Sequence, residues 1–187
     1  AIAAGDSDAI ERAAKQVHDQ NMSLSQGALA ALNHCDHPAR AIALQAFHDR
    51  WQDSPLVMEK WFMMESMSLV SGTVARLGEL MAHPAFDANN PNKLRSVLGA
   101  FMTGNPVHFY AEDGSGFDFI GDCLIDIDAR NPQLAARMAL PLTRRTQYAP
   151  ARRAKMGAVL QKLQQQAQSN DLREVIDKAL ADGPSPV

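Results

Sequence analysis

The sequence predicts an all-α fold in which antiparallel helix pairs stack in chain order into a superhelix. Almost every segment carries apolar residues at helical spacing, and none shows the sustained alternation that is typical of a strand. Pairs of a polar residue and a proline recur 46 residues apart at His37-Pro38 and His83-Pro84, and 41 residues apart at Asn90-Pro91 and Asn131-Pro132. Spacings of roughly 40 to 47 residues are those of HEAT and armadillo repeats. One helical-repeat domain over residues 1–187 is therefore expected.

Five helices are predicted before residue 89, and each begins at a residue suited to the N-terminal end of a helix. A side-chain oxygen there accepts a hydrogen bond from a first-turn amide that otherwise has no partner. The predicted starts are Asp6 or Ser7, Ser23, Asp36-His37-Pro38, Ser54-Pro55 and Ser71-Gly72. The fifth helix should end at His83-Pro84, because proline does not continue a helix.

The third helix has apolar residues on two sides. Leu44, Phe47 and Trp51 share one side, and Ile42 and Ala46 share another. A helix with two apolar faces is expected to pack between two neighbours.

The fourth helix, with the sequence LVMEKWFMMESM, is apolar on nearly all sides and is interrupted only by Glu59, Lys60 and Glu65. This pattern predicts a helix in the centre of the core. The alternative is that its methionines form an adaptable binding surface.

The central stretch, residues 89–116, begins with Asn90 as a capping residue and Pro91 in the first helical position. The following apolar stripe consists of Leu94, Val97, Leu98 and Phe101. Arg95 lies roughly 100° around the helix from Leu94, at the edge of this stripe. Two interpretations of Arg95 are open: a structural arginine that packs its stem and pairs its charge, or a functional one. Gly104 should end the helix, and Asn105-Pro106 should begin the next.

Four further helices are predicted after the acidic loop at residues 112–116. The first runs to Arg130 and carries the apolar stripe Phe117, Ile120, Leu124 and Ile127. Asn131-Pro132 begins the second helix, which carries Arg137. Pro141 should kink or end this second helix. The last two are amphipathic. A basic cluster around Tyr148, formed by Arg144, Arg145, Arg152, Arg153 and Lys155, is expected to be solvated or to pair with the Asp-rich helix, which carries Asp118, Asp122, Asp126 and Asp128. Residues 183–187 should form a frayed tail.

Composition restricts the possible functions. The 187 residues carry a net charge of -3, which argues against nucleic acid or an anionic membrane surface as a partner. No apolar run approaches the roughly 18 residues that a membrane-spanning helix needs. Cys35 and Cys123 are too few for a disulfide framework, which favours the cytoplasm.

The usual catalytic motifs are absent from the sequence. None of the six histidines begins HExxH, and no nucleophile elbow or P-loop is present. The run His34-Cys35-Asp36-His37 is interpreted as capping and packing rather than as a metal site, because four adjacent residues converge poorly on one ion. Cys123 is interpreted as an inert thiol. We therefore expect no catalytic residue, metal or cofactor in this segment.

Four separated strings in one order resemble the C-terminal domain of bacterial aminopeptidase N. They are LVMEKWF, NPNKLRSVLGAF, AEDGSG and DARNPQLAARM, and the similarity runs from about Asn21 to Ala181. That family comprises zinc-dependent alanyl aminopeptidases of the gluzincin class. The resemblance implies an armadillo-like helical domain that caps the zinc site of a longer chain and restricts the entry of peptides.

The resemblance also implies partners and site residues. The partners are the catalytic domain of the same parent chain and a peptide substrate, and the zinc belongs to the parent enzyme. The substrate-binding residues are Arg95, in NPNKLR, and Arg137, in NPQLAAR, which correspond to arginines that reach the internal cavity in the family. The segment alone should be inactive, because HExxH would lie upstream of Ala1.

A second class of function is a free-standing helical-repeat scaffold that binds a protein or peptide in its concave face. The two classes differ at the first helices. A free-standing repeat protein needs a polar capping repeat, whereas a segment of a longer protein should expose an apolar face near residues 1–35.

Overall fold

A computed structural model describes residue 2 and residues 5–181 of the chain. Within this part the protein is α-helical and contains no strand, which confirms the predicted fold class. The predicted frayed tail, residues 183–187, lies outside the described residues. The described chain divides into two compact units, here called unit 1 (Ala1–Asp87 with Asn92–Asn105) and unit 2 (Ala88–Pro91 with Pro106–Val187). The expectation of a single repeat domain remains a prediction.

Unit 1 is built of consecutive helices and one longer helical segment. The helices are α1 (Ser7–Gln16), α2 (Met22–Leu32), α3 (Pro38–Trp51), α4 (Pro55–Ser66) and α5 (Thr73–Met81). The segment that follows consists of α6 (Pro91–Leu94), a π-helical turn (Arg95–Gly99) and α7 (Ala100–Gly104). The centre of the unit is α4, whose Met58, Trp61 and Phe62 are buried. Phe47 of α3 and the predicted stripe of the central stretch are buried as well.

Unit 2 begins with the short helix α8 (Pro106–Phe109). It continues with α9 (Ser115–Asp128), α10 (Pro132–Thr143), a 3₁₀ turn (Arg144–Gln147), α11 (Pro150–Gln166) and α12 (Asn170–Ala181). Its core contains the predicted stripe of α9 together with apolar residues of α10, α11 and α12. Pro141 lies within α10, which ends two residues later at Thr143. No helix in the described part of the chain is long and apolar enough to cross a bilayer.

Several predicted helix starts are confirmed. Asp6 caps α1, where its side chain accepts a hydrogen bond from the Ala9 amide at 3.0 Å. The His37 ring caps α3 through its Nδ1, which accepts from the Ala39 amide at 3.1 Å. Asn131 caps α10 by accepting from the Leu134 amide at 3.1 Å. In each case the side chain satisfies an amide that the helix leaves without a partner.

Two predictions in unit 1 are wrong. Asn21, not Ser23, caps α2, because its side-chain oxygen accepts from the amides of both Ser23 and Leu24. The two-sided burial predicted for α3 is also not observed, since Ile42 is 68% exposed. The core position of α4 is confirmed for Met58, Trp61 and Phe62, whereas Met63 at 43% exposure and Leu56 at 72% face solvent.

Candidate functional site

The first candidate residue, Arg95, is exposed on a segment that is otherwise largely buried. Leu94 and Val97 pack inward, and the neighbouring base Lys93 is buried as well. The Lys93 ammonium donates to the Pro55 carbonyl oxygen at 3.3 Å and lies 5.2 Å from the centre of the Phe62 ring. The helix therefore turns one basic residue into the core and the other, Arg95, towards solvent.

A π-helical turn begins at Arg95. The amide of Ala100 donates to the carbonyl oxygen of Arg95, five residues earlier, instead of four as in a regular α-helix. Insertions of this kind occur frequently at functional sites, because they rotate the following residues relative to the preceding ones. The Arg95 side chain makes one local hydrogen bond, from its Nη1 to the Asn92 side-chain oxygen at 3.1 Å. Most of its donors therefore remain available.

The second candidate residue, Arg137, lies on the exposed side of α10 in unit 2. Its neighbours Leu134, Ala135, Met138 and Ala139 are all buried. Its guanidinium makes no hydrogen bond or ion pair with any residue that the structure describes. Nothing in the fold of α10 therefore depends on the charge of Arg137.

Both arginines could bind an oxygen acceptor of a ligand. A guanidinium presents a planar set of donors that matches a carboxylate or a carbonyl oxygen and stays charged at any physiological pH. Arg95 belongs to unit 1 and Arg137 to unit 2. The structural interpretation of Arg95 has little support, because a solvent-exposed hydrogen bond to Asn92 contributes little stability.

Other residues singled out in the sequence have local roles. Asp113 accepts hydrogen bonds from the Ser115 amide at 2.9 Å and the Ser115 hydroxyl at 2.8 Å, which forms a tight turn before α9. These bonds hold the pKa of Asp113 below its usual value. Burial, together with Asp126 and Asp122, raises the pKa of the Cys123 thiol to about 12, so the thiolate is disfavoured.

Arg145, Arg152 and Arg153 of the basic cluster of unit 2 donate hydrogen bonds to backbone carbonyl groups. Arg152 donates from Nε to the Tyr110 carbonyl oxygen at 2.9 Å, and Arg145 donates from Nε to that of Ala179 at 3.3 Å. The ion pair that the Asp-rich helix does form joins Asp122 to Lys162. No group of three or more potential metal-binding side chains occurs among the residues described.

Sequence reasoning missed one polar cluster in unit 1. Glu65, which is 4% exposed, forms ion pairs with Arg40 and Arg76 beside an open cavity. The available signal was a carboxylate in a helix that is apolar on nearly all sides, since such a group must be buried with partners. Its partners are 25 and 11 residues away in the sequence, so spacing alone could not identify them.

Comparison with known protein families gives a match along nearly the whole chain. Residues 1–181 match the family described as a domain of unknown function (DUF3458_C) with ARM repeats. The chain is also similar to aminopeptidase N of Escherichia coli, with 40% identity over 169 residues that cover 89% of this chain and 19% of the relative. For aminopeptidase N of Haemophilus influenzae the identity is 37%, covering 88% of this chain and 19% of the relative.

A solved structure shares the fold. The aminopeptidase A of Legionella pneumophila, crystallised with aspartic acid, superimposes with a TM-score of 0.89 at 29% identity. The match covers 93% of this chain and 21% of that protein. The chain thus spans about a fifth of the length of these relatives.

Proposed function

Because the chain belongs to the family of ARM-repeat domains that matches the C-terminal part of aminopeptidase N, we propose that it is the non-catalytic C-terminal segment of such an enzyme. It caps the zinc site of the parent chain and restricts the entry of peptides. Arg95 and Arg137 contribute to substrate binding beyond the scissile bond. The zinc and the catalytic residues belong to the catalytic domain of the parent, and the two buried free thiols suit a cytoplasmic enzyme.

The proposal is carried by the position of both arginines in the strings NPNKLR and NPQLAAR, together with their exposure on otherwise well-packed helices; exposure alone is shared by Arg130. A structural arginine of a helical repeat normally pairs with a carboxylate or caps carbonyl groups, as Arg40, Arg145 and Arg152 do here. Within the described part of the chain, the partner of the Arg95 guanidinium is a side-chain amide, and Arg137 has no partner. Unused charged donors are what a peptide carboxylate or carbonyl group requires.

An apolar groove between α1 and α2 supports a segment of a longer protein over a free-standing scaffold. The groove has a volume of about 460 Å³. Alanines are the most frequent of its lining residues (Ala9, Ala13, Ala28 and Ala31), and Arg12, Gln16 and Ser23 are the polar ones. Leu24 at its edge is 45% exposed. A terminal repeat of a free-standing repeat protein would carry polar side chains on this outer face.

The proposal predicts a substrate-dependent effect of two substitutions in the full-length parent enzyme. Arg95→Ala and Arg137→Ala should each lower kcat/KM for peptides by roughly ten- to hundredfold, because a charge-assisted hydrogen bond is worth about 1.5–3 kcal/mol. Turnover of small chromogenic amino-acid amides should change little, since these substrates lack the part of a peptide beyond the scissile bond.

Arg130→Ala is the matched control, because Arg130 is an exposed arginine with no side-chain hydrogen bond to the described residues. The thermal stability of each variant is measured beside both rate constants. Equal fractional losses on peptide and amide together with a lowered melting temperature would make the two arginines structural. Unchanged turnover of both substrates would remove them from the binding site.

A further inference from the structure

A second cavity, distinct from the surroundings of Arg95 and Arg137, lies in unit 1. It has a volume of about 310 Å³ and is bounded by α3, by α4 and by the loop that leads into α5. Two arginines, Arg40 and Arg76, line it together with the buried carboxylate of Glu65. This volume is near the lower end for small-molecule sites in proteins, so the cavity suits a small ligand.

The two guanidiniums leave donors unused around a carboxylate that is already satisfied. Glu65 accepts from Arg76 Nη2 at 2.9 Å through Oε1 and from Arg40 Nη2 at 3.2 Å through Oε2. Arg40 Nε is bound to the Asn33 carbonyl oxygen at 3.0 Å, and Arg76 Nη1 is bound to the exposed Glu79. Arg40 Nη1 and Arg76 Nε donate to no residue within the described ranges.

The charges of the residues that line the cavity favour a ligand with a single negative charge. Arg40 and Arg76 contribute two positive charges and Glu65 one negative charge, so the lining is net positive by one. Glu79 lies outside the lining and is 65% exposed, but it pairs directly with Arg76 Nη1 at 2.7 Å and offsets part of the positive charge of that arginine. The positive charge left in the cavity is therefore small, which suits a monoanion better than a dianion, because a second negative charge would lie close to the buried Glu65.

The remaining walls suit an apolar tail. Trp61 is 4% exposed, and its indole N–H donates to the Leu44 carbonyl oxygen at 3.1 Å, which fixes the ring in place. Ala41, Leu44 and Val70 also line the cavity. At its edge, α5 begins with Gly72 as the N-cap at φ +81°, with no side chain to cap the first-turn amides. These amides add a positive potential beside the arginines.

We propose that this cavity binds a small organic carboxylate, with the anion between Arg40 and Arg76 and its aliphatic part against Trp61. The carboxylate takes the free donors of the two guanidiniums without displacing Glu65. The site is separate from the proposed substrate contacts of Arg95 and Arg137, so its failure would leave that proposal unaffected.

The test is an NMR titration of the full 187-residue chain at constant ionic strength. Sodium butyrate is the carboxylate probe and inorganic phosphate is the dianionic comparison. Butyrate should shift the Trp61 indole, the Arg76 Nε–H and the Gly72 amide along one saturable binding curve. Trp51, the other tryptophan of the chain, lies outside the lining and should not respond. Phosphate should bind at least about tenfold more weakly.

A charge introduced at the edge of the cavity tests its location. Ser71 is exposed and lines the cavity, so Ser71→Asp should leave the Arg–Glu contacts intact and weaken butyrate binding by about tenfold or more. Ser71→Asn, which has nearly the same shape without the charge, should bind like the unmodified chain. Linear, unsaturable shifts with butyrate would overturn the proposal, as would equal affinity in Ser71→Asp. Tighter binding of phosphate than of butyrate would overturn the assignment to a carboxylate.

Discussion

The two units bury a carboxylate in opposite ways. In unit 1, Glu65 at 4% exposure is held by the guanidiniums of Arg40 and Arg76 beside an open cavity. In unit 2, Asp128 at 2% exposure accepts from the Gln168 amide at 2.7 Å, the Ser169 amide at 3.0 Å and the Ser169 hydroxyl. The first carboxylate depends on long side chains and the second largely on backbone groups at the start of α12.

Two glycines show the same difference between contacts with side chains in unit 1 and contacts with backbone groups in unit 2. A Cβ atom at Gly116 in unit 2 would lie 2.4 Å from the His108 carbonyl oxygen and 2.7 Å from that of Phe109. A Cβ atom at Gly104 in unit 1 would lie 2.6 Å from the end of the Met67 side chain. Methionine has three rotatable bonds and can move aside, whereas a backbone carbonyl group moves only with its helix.

The comparison explains why the cavity beside Glu65 keeps unused hydrogen-bond donors. Side chains that satisfy a buried group can adjust and keep donors free, so unit 1 can have an open polar cavity. Backbone donors are fixed by the helix they belong to, so the polar contact in unit 2 serves only to position α12. We therefore expect unit 2 to be the less tolerant of substitution at these contacts.

Asp128→Ala should have the largest effect. It removes the acceptor for three donors at the start of α12, and each buried donor left without a partner costs about 1–3 kcal/mol. Because the donors share one site, we expect a total loss of roughly 3–4 kcal/mol in the free energy of unfolding. Urea denaturation measures it. Asp126→Ala on the exposed side of the same helix is the control and should change stability by less than about 0.5 kcal/mol.

Substitution of Gly116 and Gly104 should give the next largest effect on the free energy of unfolding. Gly116→Ala forces a backbone shift and should cost about 2–3 kcal/mol, which is in the range of overpacked interiors. Gly104→Ala should cost clearly less, because Met67 can change its rotamer. Thermal unfolding of both variants measures the difference. Equal losses would show that the interior of unit 1 is as rigid as that of unit 2.

Glu65→Gln should have a smaller effect than either unit 2 substitution. It leaves the two arginines without their shared counter-charge, but both border the open cavity, where water and solution anions can take its place. We expect a loss of about 1–2 kcal/mol, part of which added butyrate should restore. Glu59→Gln on the same helix is the control. A loss larger than that of Asp128→Ala would contradict the comparison.

Local patterns predicted the helices well because capping and apolar periodicity are properties of neighbouring residues. The starts at Asp6, His37-Pro38 and Asn131-Pro132 are correct for this reason. The start of α2 was missed because two capping residues stand two positions apart. Asn21 caps the helix in place of Ser23, since its single oxygen reaches two amides. The exposed position of Ile42 depends on which neighbours are present, and periodicity does not specify that.

The features of the candidate site can likewise be separated into those that the sequence predicts and those that it does not. The edge position of Arg95 follows from its place next to the stripe, and the exposure of Arg137 could be predicted similarly. The π-helical turn at Arg95 is not marked in the sequence by any residue pattern of fixed spacing. Two sets of contacts are long-range in the sequence, and only the folded chain brings them together. Glu65 pairs with Arg40 and Arg76, and Asp128 accepts hydrogen bonds from residues 40 and 41 positions away.

A histidine pair in unit 1 gives the smallest predicted effect. His48 Nε2 and His83 Nε2 are 3.1 Å apart, and the Ala85 amide donates to His83 Nδ1 at 3.1 Å. A neutral His83 therefore carries its proton on Nε2 and donates it to His48, whose Nδ1 proton faces Asp49 Oδ1 at 3.1 Å. A further proton on either ring breaks one of these hydrogen bonds.

The pKa of His83 should consequently lie below its usual value of 6.5. Burial is the main cause, and the charges of His48, Arg76 and Lys93 act in the same direction. Because the unfolded chain then binds the proton more readily, this stability is complete above the unfolded pKa and is lost as pH falls through the folded pKa. Asp49, whose pKa the His48 hydrogen bond lowers from 3.8, contributes a separate loss at more acidic pH.

The free energy of unfolding should therefore fall as the pH drops below the unfolded value of 6.5, and by less in His83→Gln than in the unmodified chain. NMR titration of the His83 ring gives the pKa directly, and amide exchange locates the change. As the pH falls, the protection of backbone amides against exchange should decrease in α3, α4 and α5. It should stay constant in α10 and α12, because the fixed contacts of Asp128 include no histidine. A His83 pKa at or above 6.5, or an equal loss of protection in unit 2, would remove this contrast between the units.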